Sequence, residues 1–100
     1  MKMFLDGLYS VVEVSETEAI VLLADSNHPV FKAHFPSNPI LPGFVHLEII
    51  SEVFKINITG VKKAKYTNLV LPSQTLHYIR NNNKIIVTCQ DKDIASFNIV

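Results

Sequence analysis

Only one cysteine, Cys89, occurs in the 100 residues, so no disulfide can close within the chain and a reducing compartment is the expected setting. An excess of charge of either sign is also lacking. Nine Lys and Arg balance nine Asp and Glu, and charged residues make up only 18%. A DNA- or RNA-binding domain needs a basic footprint, so nucleic acid is excluded as a partner. Long apolar runs are missing too: none approaches the ~18 residues of a membrane span. Residues 1–6 reach an acid, Asp6, too early for the apolar stretch of a secretory signal, so a cytoplasmic protein is expected. The histidines and Cys89 show no metal-ligand spacing, and neither a metal nor another cofactor is expected.

What the chain does contain is a hydrophobic fraction of 48%, enough for one core and one domain over residues 1–100. Residues 8–15 and 18–25 are rich in Val and Ile, with only Glu16 and Thr17 between them, which predicts a hairpin that lacks the usual Gly or Asn. Between residues 27 and 42 four prolines (Pro29, Pro36, Pro39 and Pro42) predict a stiff extended loop without regular structure. Pro42-Gly43 opens a helical stretch reaching residue 56. Phe44, Leu47, Ile50 and Phe54 share one face, Val45, Ile49 and Val53 extend it, and Glu48, Ser51, Glu52 and Lys55 form a polar strip. His46 falls on the apolar side and reads as a satisfied core histidine. Strand patterns return at 61–71, 74–80, 84–90 and 94–100, with a turn at Asn81-Asn82-Asn83 whose residues tolerate positive φ. Two strands, a buried helix and four strands predict an α+β hotdog fold, an antiparallel sheet wrapped around a long central helix.

The segment that carries chemistry runs from Asn27 through His34-Phe35-Pro36, Pro39 and Pro42-Gly43 to Glu48, with His34 and Glu48 14 positions apart (48 − 34). This ordered set resembles the signature of the 3-hydroxyacyl-[acyl-carrier-protein] dehydratases, and residues 65–76 echo the family's aromatic strand and following corner. The resemblance implies dehydration of a 3-hydroxyacyl thioester to the trans-2-enoyl thioester in fatty-acid or related acyl-chain synthesis. It gives His34 the role of base at C2 and Glu48 that of acid to the leaving oxygen at C3.

Chemistry agrees with these roles. Imidazole titrates near neutral pH, which suits His34. Partial burial of Glu48 beside Phe44 and Val45, with Glu52 one turn on, is expected to raise its pKa. Gly43 at the helix start offers an unobstructed backbone N–H to the charge growing on the thioester oxygen. Phe35, Phe44 and Leu47 are candidates for lining an acyl tunnel.

Ala33 and Ser37 stand where the family commonly has Gly, and Glu52 where many members have Gln. These departures keep a non-catalytic acyl- or partner-binding hotdog module open as an alternative, with an acyl thioesterase third. The substrate is expected on acyl carrier protein or coenzyme A, and Lys62, Lys63, Lys65, Lys32 and Arg80 could receive an acidic carrier. A wide apolar arc on the helix and edge strands at the hairpin or at residues 94–100 predict a homodimer or a dimer-based oligomer. By the resemblance, His34 and Glu48 of each site come from different chains.

Overall fold

The computed structural model describes residues 6–33 and 40–100. In them the order is β1 (Tyr9–Val14), β2 (Glu18–Leu23), α1 (Pro29–Ala33), α2 (Val45–Phe54), β3 (Val61–Tyr66), β4 (Thr75–Asn81), β5 (Lys84–Cys89) and β6 (Lys92–Ile99). All neighbouring strands pair antiparallel in one sheet, in the order β1-β2-β4-β5-β6-β3. This is the expected hotdog arrangement, with α2 packed on the inner face.

Alternation along the strands explains which face is inner. Ala19, Val21 and Leu23 on β2, Leu76 and Tyr78 on β4, Ile85, Val87 and Cys89 on β5, and Ala95, Phe97 and Ile99 on β6 are all buried. The β1–β2 turn manages without Gly because Ser15 Oγ accepts from the backbone N–H of Glu18 at 3.1 Å, an ST-type turn. Asn82 has φ 56°, as its residue type allows, and Gln90 and Asp91 (φ 51° and 64°) form the next hairpin bend.

Two helical features differ from the reading of the sequence. The proline-rich loop does contain a helix, α1, because Pro29 occupies its first position, where a missing N–H costs nothing. The central helix is shorter than residues 42–56, at ten residues. Its first turn is tight: Val45, His46 and Leu47 N–H donate to the carbonyls three residues back, at 3.1–3.2 Å. It ends where Lys55 turns left-handed (φ 54°) and donates its N–H to Ser51 O.

The buried face of α2 is Val45, His46, Ile49 and Ile50, whereas Phe44 is 52% exposed and Leu47 and Phe54 are half-buried. With apolar residues around most of the helix, periodicity alone could not choose between adjacent faces. The edge strands are β1 and β3; residues 94–100 lie inside the sheet, because β6 pairs with both β5 and β3. Among the described residues no helix is long and apolar enough to cross a membrane.

Candidate functional site

The start of α2 is the centre of the site. Residues 40–44, His46, Tyr66 and residues 68–70 line an apolar pocket of about 470 Å³. Its two walls are tied by Leu41 N–H, which donates to Val70 O at 2.8 Å. Gly43 sits at its head, and among the described residues its N–H has no acceptor.

The need for glycine there is one of space. Gly43 is not in the left-handed region, unlike Gly7 (φ 73°), but a Cβ on it would lie 2.7 Å from Cε1 of Tyr66. Tyr66 is half exposed and can swing aside, so Gly43→Ala is expected to cost about 1 kcal/mol, the low end for overpacking. In a Tyr66→Ala background that cost should vanish, as read by urea denaturation of the four proteins of the cycle. An equal cost in both backgrounds would remove Tyr66 as the reason.

His46 forms part of the pocket lining and is 2% exposed. Its Nδ1 lies 2.9 Å from the hydroxyl of Tyr78, which is fully buried. Burial holds the His46 pKa down to about 4 and pushes the Tyr78 phenol well above its usual range, so the pair is neutral at pH 7. Phe97 packs edge-on against Tyr66, with centroids 5.6 Å apart, and lies 6.2 Å from the His46 ring. The expected core histidine is therefore observed, but the reading of the sequence missed its partner and its place in the pocket. Tyr78 alternates inward on β4, which was visible; that it meets a residue 32 positions away was not.

Glu48 is exposed and lines a different groove, of about 350 Å³, with Leu47, Ser51 and residues 57–61. The partial burial expected for it beside Phe44 and Val45 is not provided by the chain on its own. Glu52, one turn on, accepts a hydrogen bond from the Tyr9 hydroxyl at its Oε1. That contact and burial push the Tyr9 pKa upward, burial being the larger cause.

Thus the structure brings Gly43 and Phe44 together in one pocket and Leu47 and Glu48 together in another. His34, Phe35 and Ser37 lie outside the described residues. Lys62, Lys63 and Lys65 are exposed together on edge strand β3. Arg80 does not join them: β5 and β6 intervene, and its guanidinium lies 6.0 Å from the Phe54 ring centroid. The side chain of Lys32 lies outside what is described.

The other histidines have local work. His28 Nε2 donates to Asp6 O at 2.7 Å while Nδ1 accepts from Val30 N–H, and His77 pairs with Glu18 at 2.7 Å. Among the described residues no three His, Cys, Asp or Glu side chains gather as metal ligands.

Comparison with known proteins adds family information. The family model for ApeI-like proteins, described as ApeI dehydratase, matches residues 12–98. The 3-hydroxyacyl-[acyl-carrier-protein] dehydratase FabZ of Thermoanaerobacter sp. (strain X514) is 28% identical over 81 residues, 66% of this chain and 57% of that protein. The chain spans about half the length of the curated relatives it matches. Among solved structures, the dehydratase heterocomplex ApeI:P from Xenorhabdus doucetiae matches with TM-score 0.69 and 17% identity, over 91% of this chain and 95% of that one. The E. coli PaaI protein matches with TM-score 0.63 and 12% identity, over 98% and 86%. At these identities the structural likeness speaks to the fold, and both neighbours agree with it.

Proposed function

The chain belongs to the ApeI-like dehydratase family, and from that premise we propose that it removes water from a 3-hydroxyacyl thioester carried on acyl carrier protein or coenzyme A. The observation that carries this reading is the head of α2: an N–H with no acceptor among the described residues belongs to a glycine that lines an apolar pocket and cannot carry a side chain unless Tyr66 moves.

In the proposed reaction His34 takes a proton from C2 as the thioester oxygen gains charge. Gly43 N–H donates to that oxygen, where preorganised donors are most effective. Glu48 gives its proton to the hydroxyl on C3, the C–O bond breaks, water leaves, and C2 and C3 become doubly bonded. No cofactor is called for.

The reading includes a homodimer with two composite sites. At 100° per residue Glu48 and His46 lie about 160° apart around α2, so Glu48 faces away from the pocket headed by Gly43. A second chain that brings its own Glu48 to this pocket joins the two groups and covers that carboxyl. Support for pairing comes from the unpaired outer edges of β1 and β3, which expose Val11, Val12 and Val14, and Val61 and Tyr66. The three lysines of β3 support docking of an acidic carrier protein. A cytoplasmic location accords with Cys89 as a free, buried thiol.

The test is to incubate the protein with 3-hydroxyacyl carrier protein and follow the acyl chain by mass spectrometry. Loss of about 18 mass units, one water, is expected, and the trans-2-enoyl thioester should gain the same mass in reverse. Release of the free carrier would instead indicate a thioesterase, and an unchanged substrate a binding module.

A further inference from the structure

Resting on the reading just given, we propose that His46 is a second hydrogen-bond donor to the thioester carbonyl, acting through Nε2–H beside Gly43 N–H. Three observations converge on it. First, the histidine is three residues after Gly43 on α2, and helical side chains lean toward the helix N-terminus, so its ring covers the turn that Gly43 begins. Both residues line the same pocket.

Second, the Tyr78 pairing sets the tautomer. The hydroxyl of Tyr78 is fully buried, and His46 Nδ1 is its partner among the described residues. A buried O–H that kept its proton unshared would carry the cost of its lost hydration uncompensated, so the hydroxyl donates to Nδ1 and the imidazole proton resides on Nε2.

Third, Nε2 has no hydrogen-bond partner among the described residues, yet no buried side-chain nitrogen or oxygen there lacks one. Nε2 is therefore at the small accessible part of this 2% exposed residue, and the pocket is the space that part faces.

A neutral imidazole N–H in an apolar pocket fits an uncharged acceptor that becomes more negative during reaction, which is the chemistry of a thioester carbonyl on its way to an enolate. The low proton affinity of His46 keeps it a donor that polarises the carbonyl without surrendering a second proton. Tyr78 is the positioning residue behind it.

Two measurements test this on the full chain. In ¹⁵N-histidine-labelled protein at pH 7, His46 is expected as the Nε2–H tautomer, and its Nε2–H signal should shift on titration with trans-2-decenoyl pantetheine thioester. A proton on Nδ1, or a signal unmoved throughout the titration, would overturn the proposal whether or not the protein turns substrate over.

In kinetics, His46→Leu should lower kcat about 10²- to 10³-fold with KM changed less than about threefold. His46→Gln keeps an acceptor for Tyr78 and an N–H for the pocket, and should stay within about tenfold of the parent. Parent turnover with a folded His46→Leu protein equally active would sink the proposal and leave the dehydratase reading intact. A parent protein without turnover would sink that reading, and the titration would still decide for or against His46.

Discussion

Glu48→Gln is expected to lower turnover by about 10²- to 10⁴-fold, the range for losing a proton-transfer partner. The change is isosteric and removes only the titratable proton. Because Glu48 is exposed on its own chain and Gln matches it in size, the melting temperature should move by less than about 3 °C. His34→Ala should lower turnover over the same range, since the proposed base at C2 is lost without a substitute. The two variants separate the roles further. A substrate whose C3 oxygen is already a good leaving group no longer needs the acid, so it should rescue Glu48→Gln and not His34→Ala. Full turnover in either variant with the ordinary substrate would remove that residue from the mechanism.

Stability should fall steeply in mild acid because of one buried side chain. His46 binds its proton at about pH 4 in the fold against 6.5 when exposed, the cause being burial. Above pH 6.5 neither state is protonated there and nothing is lost. As the pH drops below 6.5 the unfolded chain takes up the proton and the folded one does not, so unfolding is favoured progressively until about pH 4. The difference amounts to about 3 kcal/mol at pH 4, a large share of the roughly 5–15 kcal/mol that holds a domain together. His46→Gln keeps an acceptor for Tyr78 and removes the titration. Urea denaturation at pH 7 and pH 4.5 should therefore show a markedly smaller acid loss in the variant. All other groups are common to both proteins and cancel in the comparison. The same loss in both would mean that His46 is not the group responsible.

The hotdog class and the strand order along the chain were legible because strand alternation is local. Each buried run, such as Ala19, Val21 and Leu23, announces its inner face with a period of two. Helix α2 was legible as a helix but not in its orientation, since apolar side chains on both flanks leave the wheel without a contrast. Prolines conceal α1 because four of them in sixteen residues argue against a helix, although Pro29 at a first helical position breaks nothing. The identity of the second edge strand depends on β3 pairing with β6, a contact between segments some thirty residues apart that no local pattern encodes. The site divides in the same way. Gly43 and Glu48 are named by the resemblance to the dehydratase signature, and the single chain places them in separate pockets. The His46–Tyr78 pair and the collision of Tyr66 with any Cβ at Gly43 exist only once the sheet has closed over the helix.

The most direct test of a dehydratase site built by two chains is complementation. Purified His34→Ala and Glu48→Gln proteins, each inactive, are mixed under conditions that allow subunit exchange, and loss of about 18 mass units from a 3-hydroxyacyl carrier thioester is followed. Half of the sites in a mixed dimer would then combine an intact His34 from one chain with an intact Glu48 from the other. Turnover should appear on mixing and grow with the fraction of mixed dimer. Exchange demonstrated by native mass spectrometry without any recovered turnover, while the parent protein is active, would contradict the account.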